Sequence, residues 1–303
     1  MAEGERRNKE QVYLQRVRDL YPGLEAGTTR LIDEGEFNDI LIVDNTLIFR
    51  FPRSFGGIER LRIEVAILEA IQEHVSLPIP NPSFISEDME TVGMAFMGYR
   101  MLPGEPLRDH LNAFKAEAAC RHLAGQLATF LRELHGFPVE AVGLELPVHD
   151  RGRREALPGT YEHVRQHLYP HMRLDARDLI AEQFDAFLED PSSLYYERAI
   201  KHGDLGPGNI LLDPETLSVS GILDFGSAGL DDPAVDLGLV SFWGESFLGS
   251  KSFVEQLYDT YPVVEPLLRR VRFYKVVIPL WVALGALQSN DREAFKVALA
   301  PYV

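Results

Sequence analysis

The stretch His202-Gly203-Asp204-Leu205-Gly206-Pro207-Gly208-Asn209-Ile210-Leu211-Leu212-Asp213, followed by Gly221-Ile222-Leu223-Asp224-Phe225-Gly226, decides how this chain is read. Gly203, Gly206, Pro207 and Gly208 force an irregular loop, from which Asp204 and Asn209 can project into one cleft. Residues 210–213 and 219–223, around a turn at Pro214-Glu215, predict a short hairpin that returns the chain to Asp224. Two carboxylates and an amide oxygen are then expected together. They are hard oxygen donors, suited to Mg2+ carried by a polyphosphate.

Upstream, the chain alternates between helical and strand patterns. A helix is predicted over 10–20 and strands over 28–33, 39–43 and 46–51, with Asp44-Asn45 as a tight hairpin turn. Ile58, Leu61, Val65, Leu68, Ile71 and Val75 recur with helical period, and Pro78, Pro80 and Pro82 break that helix. Further strands fit 83–86 and 93–101, and Pro103-Gly104-Glu105-Pro106 reads as a connector. Downstream, helices are predicted over 113–135, 159–169, 175–189, 251–261 and 264–288. The expected architecture is α+β: a small β-rich lobe, 1–102, and a larger, mostly helical lobe, 103–303. Ligands tend to bind at such junctions.

Composition narrows the function. The 303 residues carry a formal charge of −16, with 46% hydrophobic and 25% charged residues, which is the balance of an ordinary globular protein. So acidic a chain gains nothing by counterion release on a nucleic acid or an anionic membrane, whereas a cationic partner is favoured. The single cysteine, Cys120, excludes an intrachain disulfide and a cysteine metal cluster. It falls on the apolar stripe Cys120, Leu123, Leu127, Phe130, Leu131 and Leu134, so it reads as a core residue. The start, MAEGERRNKEQ, has no apolar core of a signal peptide, and the longest apolar run, 276–287, is short for a bilayer span. A cytoplasmic monomer is expected, with neither nucleic acid nor membrane as partner.

The order H-x-D-x-x-x-x-N and then D-F-G resembles the catalytic core of the protein-kinase-like superfamily. The fuller string HGDLGPGNILLD…GILDFGSAGLDDPAVDLG is similar to the aminoglycoside phosphotransferase family, and the likeness covers nearly the whole chain. Three further stretches point to its 2''-phosphotransferase branch. They are Ile48-Phe49-Arg50-Phe51-Pro52, Pro103-Gly104-Glu105-Pro106-Leu107 and the H-G-D-x-x-P-G-N loop.

That resemblance implies a small-molecule O-phosphotransferase that uses Mg2+ and GTP or ATP. Asp204 is the implied catalytic aspartate, Asn209 and Asp224 the metal ligands, His202 a packing residue and Asp236 a brace for the catalytic loop. The alternation of strand 46–51 sends Leu47, Phe49 and Phe51 to one face and Ile48 and Arg50 to the other. Arg50 then takes the place of the family's phosphate-contacting lysine, a departure in shape though not in charge. Glu64 is expected to pair with it. Arg100 and Leu102 are expected to offer hinge backbone groups to the base and Tyr99 to stand behind it, with Ile40, Leu211 and Leu223 completing the nucleotide set. Tyr99 at that depth favours GTP at least as well as ATP. Gly35-Glu36-Phe37-Asn38 stands where the family has a glycine-rich phosphate loop, although a single glycine there fits a plain hairpin turn equally well, and no P-loop motif is present.

The resemblance leaves the acceptor open. The chain's acidity suits an aminoglycoside, with Asp231, Asp232 and Glu245 for amine contacts and Tyr274 and Trp281 as stacking surfaces. Yet carboxylates that some members of the branch use are replaced by Gly208 and Ser227. A macrolide or metabolic-alcohol acceptor is the alternative, and a nucleotide-binding pseudokinase is an alternative of another class.

Overall fold

The computed structural model describes residues 3–33, 37–148 and 156–303. Its elements begin with α1 (Glu3–Leu20), β1 (Thr29–Ile32), β2 (Asn38–Val43), β3 (Leu47–Pro52) and α2 (Phe55–Ile71). Next come β4 (Phe84–Ile85), β5 (Met97–Arg100), β6 (Glu105–Pro106), α3 (Glu117–His135), α4 (Leu157–His167) and α5 (Leu174–Glu189). Then follow β7 (Ala199–Lys201), β8 (Ile210–Leu212), β9 (Val219–Ile222) and β10 (Gly229–Asp231). The last are α6 (Ala234–Leu248), α7 (Lys251–Thr260), α8 (Glu265–Gln288) and α9 (Arg292–Leu299).

Two compact units result, each discontinuous in sequence. The first joins Met1–Glu105, Pro138–Glu145 and Ile210–Ala228; the second joins Pro106–Phe137, Leu146–Asn209 and Gly229–Val303. A single cut after residue 102 is the simplest sequence division, but the β8–β9 hairpin clusters with the first unit. Its Ile222 N–H donates to the Pro78 carbonyl (2.9 Å) and its Ser220 hydroxyl to the Pro103 carbonyl (2.8 Å).

The first unit contains an antiparallel sheet in the order β1-β2-β3-β5-β4. Its central hairpin turns where expected: Asp44 and Asn45 both take positive φ, 49° and 51°, the left-handed pair that suits the twist of a two-residue turn. One face carries Leu31, Leu41, Val43, Phe49, Phe51 and Phe96 against Tyr13, Leu14 and Val17 of α1, and Tyr13 stacks on Phe51 at 3.9 Å. Burying one such side chain is worth roughly 1.5–3 kcal/mol. The opposite face carries Ile40, Ile48, Arg50, Met97 and Tyr99 in facing register. Ser54 caps α2 by accepting from Gly57 N (3.1 Å), a cap worth about 1 kcal/mol.

In the second unit, the expected α3 stripe, Cys120 included, is fully buried. Two helices, α6 and α9, were not anticipated. Helix α6 buries Val235, Leu237, Val240 and Trp243 and is apolar nearly all round, so no 3.6-residue period marks it. Gly238 lets α8 approach, since a Cβ there would lie 2.8 Å from that of Tyr274. Helix α8 runs through Pro279 and is long and apolar enough to cross a membrane, yet Leu267, Val271, Phe273, Val277 and Leu280 are buried inside this unit. Its apolarity is accounted for by core packing.

Candidate functional sites in the two units

In the first unit, strand alternation places Arg50 on the face away from the aromatic core, as the sequence predicts. Arg50 and Glu64 form a buried ion pair through Nη1 and Oε1. The other guanidinium nitrogen, Nη2, lies 3.4 Å from Asp224 Oδ1. Burial opposes the Arg50 charge, but Glu64, Tyr99 and Asp224 more than offset it, so the guanidinium is firmly protonated. Burial pushes the Glu64 carboxyl above its usual range, against the pull of Arg50. Glu64 also accepts from Phe225 N (3.2 Å). An arginine fork can thus touch both the helix glutamate and Asp224, a reach that a lysine ammonium lacks.

Asp224 sits at φ 61°, in the left-handed region, with its carboxylate half-exposed. Its Oδ1 also accepts from Gly226 N (3.2 Å). Tyr99 is buried on the Arg50 face. Burial drives its phenol up to about 12, with Arg50 opposing and Glu64 and Asp224 adding to the rise. Leu102 and Leu211 both close on Gly221, where a Cβ would lie 2.8 Å from the one and 3.4 Å from the other. Ile40 faces Arg50 across the β2–β3 pair. Leu223 is half-buried and Arg100 exposed. Gly35 and Glu36 of the expected phosphate loop lie outside the described residues.

In the second unit, the loop 202–209 is built from its own backbone. Gly203 takes φ 82°, a value that favours glycine. Asp236 Oδ2 accepts from His202 N (2.7 Å) and Oδ1 from Gly203 N (2.8 Å). Burial would raise the Asp236 carboxyl, but His135, His202 and Lys201 override it and hold it at about 2. His202 is fully buried, and its Nδ1 accepts from Asp204 N (3.2 Å). Asn209 Nδ2 donates to the Asp204 carbonyl (2.8 Å) and carboxylate (3.0 Å). That turns the Asn209 amide oxygen away, free to serve as a hard ligand. Trp243 Nε1 donates to the Leu205 carbonyl (3.0 Å). The exposed Asp204 carboxylate therefore stands on a braced loop.

Two of these braces, Trp243 and His135, are not marked by the sequence. His135 Nε2 lies 3.0 Å from Asp236 Oδ2, and its Nδ1 lies 3.1 Å from the Tyr261 hydroxyl. In sequence His135 is one more basic residue at a helix end, and nothing but folding brings it to Asp236.

The acceptor set needs correction. Asp231, Asp232 and Tyr274 are interior side chains, not surfaces for a ligand. Asp232 pairs with Arg270 at 2.7 Å and caps α6 by accepting from Ala234 N (2.9 Å). Asp231 Oδ1 accepts from Asp232 N (2.8 Å), whereas its Oδ2 and the Tyr274 hydroxyl are buried without a partner. Sequence cannot distinguish such acids from exposed ones, because burial is a tertiary property. Glu245 remains exposed and pairs with Lys275, and Trp281 is half-buried beside Tyr274 at 6.0 Å.

A cation locked to a helix glutamate beside an Asp-Phe-Gly turn in one unit, and a carboxylate presented by a braced His-Gly-Asp loop in the other, are the parts of a kinase-like phosphotransferase. A profile of the phosphotransferase enzyme family APH matches residues 28–274, and the chain belongs to that family. Viomycin phosphotransferase from Streptomyces vinaceus is 28% identical over 297 residues, 94% of this chain and 97% of that one. The GDP and kanamycin complex of APH(2'')-IIIa superposes with a TM-score of 0.77 at 25% identity, covering 95% of this chain and 96% of that one. A macrolide 2'-phosphotransferase from Brachybacterium faecium shares the fold, with a TM-score of 0.65, 20% identity and 93% and 94% coverage.

Proposed function

We propose that this phosphotransferase moves the γ-phosphate of GTP or ATP to a hydroxyl of an aminoglycoside antibiotic, as a monomer in the cytoplasm. Asp204 carries the reading: it is an exposed carboxylate on a loop whose backbone is fixed by Asp236, His202, Asn209 and Trp243. In the reaction Asp204 accepts the hydroxyl proton, the acceptor oxygen bonds to the γ-phosphorus, and the bond to the β–γ bridging oxygen breaks. Arg50 contacts the donor phosphates, held in place by Glu64. By the family resemblance Asp224 and Asn209 would be the groups that hold Mg2+, and each taken by itself, a half-exposed carboxylate and an amide carbonyl, is a hard oxygen donor of the kind that ion takes. When bound, that ion would supply neutralisation of charge on the donor phosphates. The nucleotide base is received by Ile40, Tyr99, Leu211 and Leu223, with backbone groups of Arg100 and Leu102.

Three observations support a cationic acceptor: the charge of −16, the kanamycin complex of the related fold and the exposed Glu245. The experiment is a coupled nucleotide-turnover screen of kanamycin, viomycin, a macrolide and small metabolic alcohols, each with GTP and with ATP. Turnover with kanamycin bears the proposal out. Turnover with viomycin or a macrolide alone replaces the acceptor, and no phosphate transfer to any acceptor, in the presence of nucleotide binding, makes the chain a pseudokinase.

A further inference from the structure

We infer that His163 and His167, on the exposed flank of α4, form a two-imidazole site for a borderline divalent transition-metal ion of the Zn2+ and Ni2+ class. The inference stands apart from the donor and acceptor readings above.

Helix α4 turns Leu157 and Val164 inward, and Leu168 at its end is buried with them. His163 and His167 flank that buried seam, and both are exposed. Side chains four residues apart on a helix lie one above the other, with about 5–6 Å between their Cβ atoms. The two rings follow that rule: their centroids are 6.0 Å apart and their planes are inclined at 70°. Among the described residues, each ring meets the other, and no hydrogen bond or ion pair engages either one. Each therefore has a nitrogen to give to a ligand. Rotation of the two exposed side chains brings one nitrogen from each to the ~2.0–2.1 Å that Zn2+ takes from imidazole. One ion is then chelated across successive turns, and water completes its shell.

The neighbouring groups set the class of ion. Glu162 is one residue from His163, so it faces another way. Its carboxylate is also taken up, by Gln166 Nε2 (2.8 Å) and Arg165 (3.6 Å). His171, four residues beyond His167, lies past the helix in a 3-10 turn, where its ring meets Phe295 at 5.3 Å. Among the described residues no group of three or more such side chains converges on one point, so the protein supplies two ligands here. Both are nitrogens. Imidazole suits Zn2+, Ni2+ and Cu2+, whereas Mg2+ demands oxygen. An ion bridging positions 163 and 167 ties the last turn of α4 to the turn before it, at the end where a helix frays.

The test is calorimetric titration of the full chain, carrying no histidine tag, with NiCl2 and with ZnCl2. One site is expected, with Cu2+ binding more tightly than Ni2+ and an excess of MgCl2 failing to displace either. His163→Ala and His167→Ala should each weaken binding by about a hundredfold, the gain of holding a second ligand in place. Alanine at exposed helical positions keeps the metal-free melting temperature near wild type. The chain's other histidines stay in every variant, so the loss reads these two alone. Adding Arg165→His to His167→Ala restores the number of histidines but sets them two residues apart, on diverging faces, and should not restore affinity. Saturating Ni2+ should raise the melting temperature of the wild type and leave that of the double alanine variant unchanged. No binding by the wild type overturns the inference. So does wild-type affinity in either single variant, rescue by Arg165→His, or displacement by Mg2+.

Discussion

His135 Nε2 lies 3.0 Å from Asp236 Oδ2, joining the end of α3 to the carboxylate that holds the backbone of the loop 202–209. Asp236 is ionised in the fold down to about pH 2, below its ordinary 3.8. A depressed carboxylate contributes stability above its unfolded pKa and loses it as pH falls through the folded one. Asp236→Asn should therefore lower stability at pH 7 by on the order of 2 kcal/mol, and the deficit should shrink between about pH 4 and pH 2. Urea titrations of both proteins across that window check this. A deficit that does not change with pH would exclude the ionised Asp236 carboxylate as its source.

Asp231 has the opposite sign. Burial lifts its carboxyl to about 6, from 3.8, with one oxygen unpartnered. A raised carboxylate contributes stability below the unfolded pKa and loses it as pH rises through the folded one. Asp231→Asn should thus raise the melting temperature at pH 8 and leave it near wild type at pH 4. Equal shifts at the two pH values would mean that the charge is not the cause.

Asp204 and Asp224 should separate kinetically. Asp204→Asn should cut kcat by about 10²–10⁴-fold with little change in nucleotide Kd, the scale of a lost general base. Asp224→Asn should instead weaken nucleotide binding in the presence of Mg2+ and leave metal-free binding unchanged. Calorimetric titration with and without the metal distinguishes them, and near-full turnover by Asp204→Asn would remove it from the reaction.

Tyr99 is buried on the sheet face that carries Arg50, opposite the face of Phe49 and Phe51. If Tyr99 stands behind the base as proposed, its ring would obstruct adenine in its deeper pose more than a guanine shifted along the hinge. GTP should be used at least as well as ATP, and Tyr99→Ala should raise kcat/KM for ATP selectively. The competing result is a wild type strongly selective for ATP, with the ratio unchanged in the variant.

Glu245, proposed for the acceptor site, is exposed and pairs with Lys275. For a cationic acceptor, KM should rise with ionic strength, since salt screens exposed charges beyond roughly 10 Å at 0.1 M. Glu245→Gln should raise it further at low salt. A salt-independent KM points to a neutral acceptor.

Much of the fold was legible because its signals are local. The Asp44-Asn45 turn, the α3 stripe and the alternation of β3 each follow from neighbouring residues, and each is found as expected. Helix α6 was not legible, because a segment buried nearly all round carries no periodicity. In the acceptor set, Asp231, Asp232 and Glu245 read alike in sequence, yet folding buries the first two and leaves the third in solvent.

The spacing from Asp204 through Asn209 to Asp224, and the placing of Arg50 opposite the aromatics of its strand, were determined by the sequence itself. Loop chemistry and strand alternation act over a few residues and need no partner from elsewhere in the chain. The bond of His135 to Asp236, the locking of Arg53 by Lys9 and Tyr13 through Asp39, and the burial of Asp231 were decided only by the tertiary structure. Those contacts join residues 101, 30, 26 and 14 positions apart. Whether such groups meet, and whether water is excluded around them, depends on how whole elements pack, and that sets both their charge and their role.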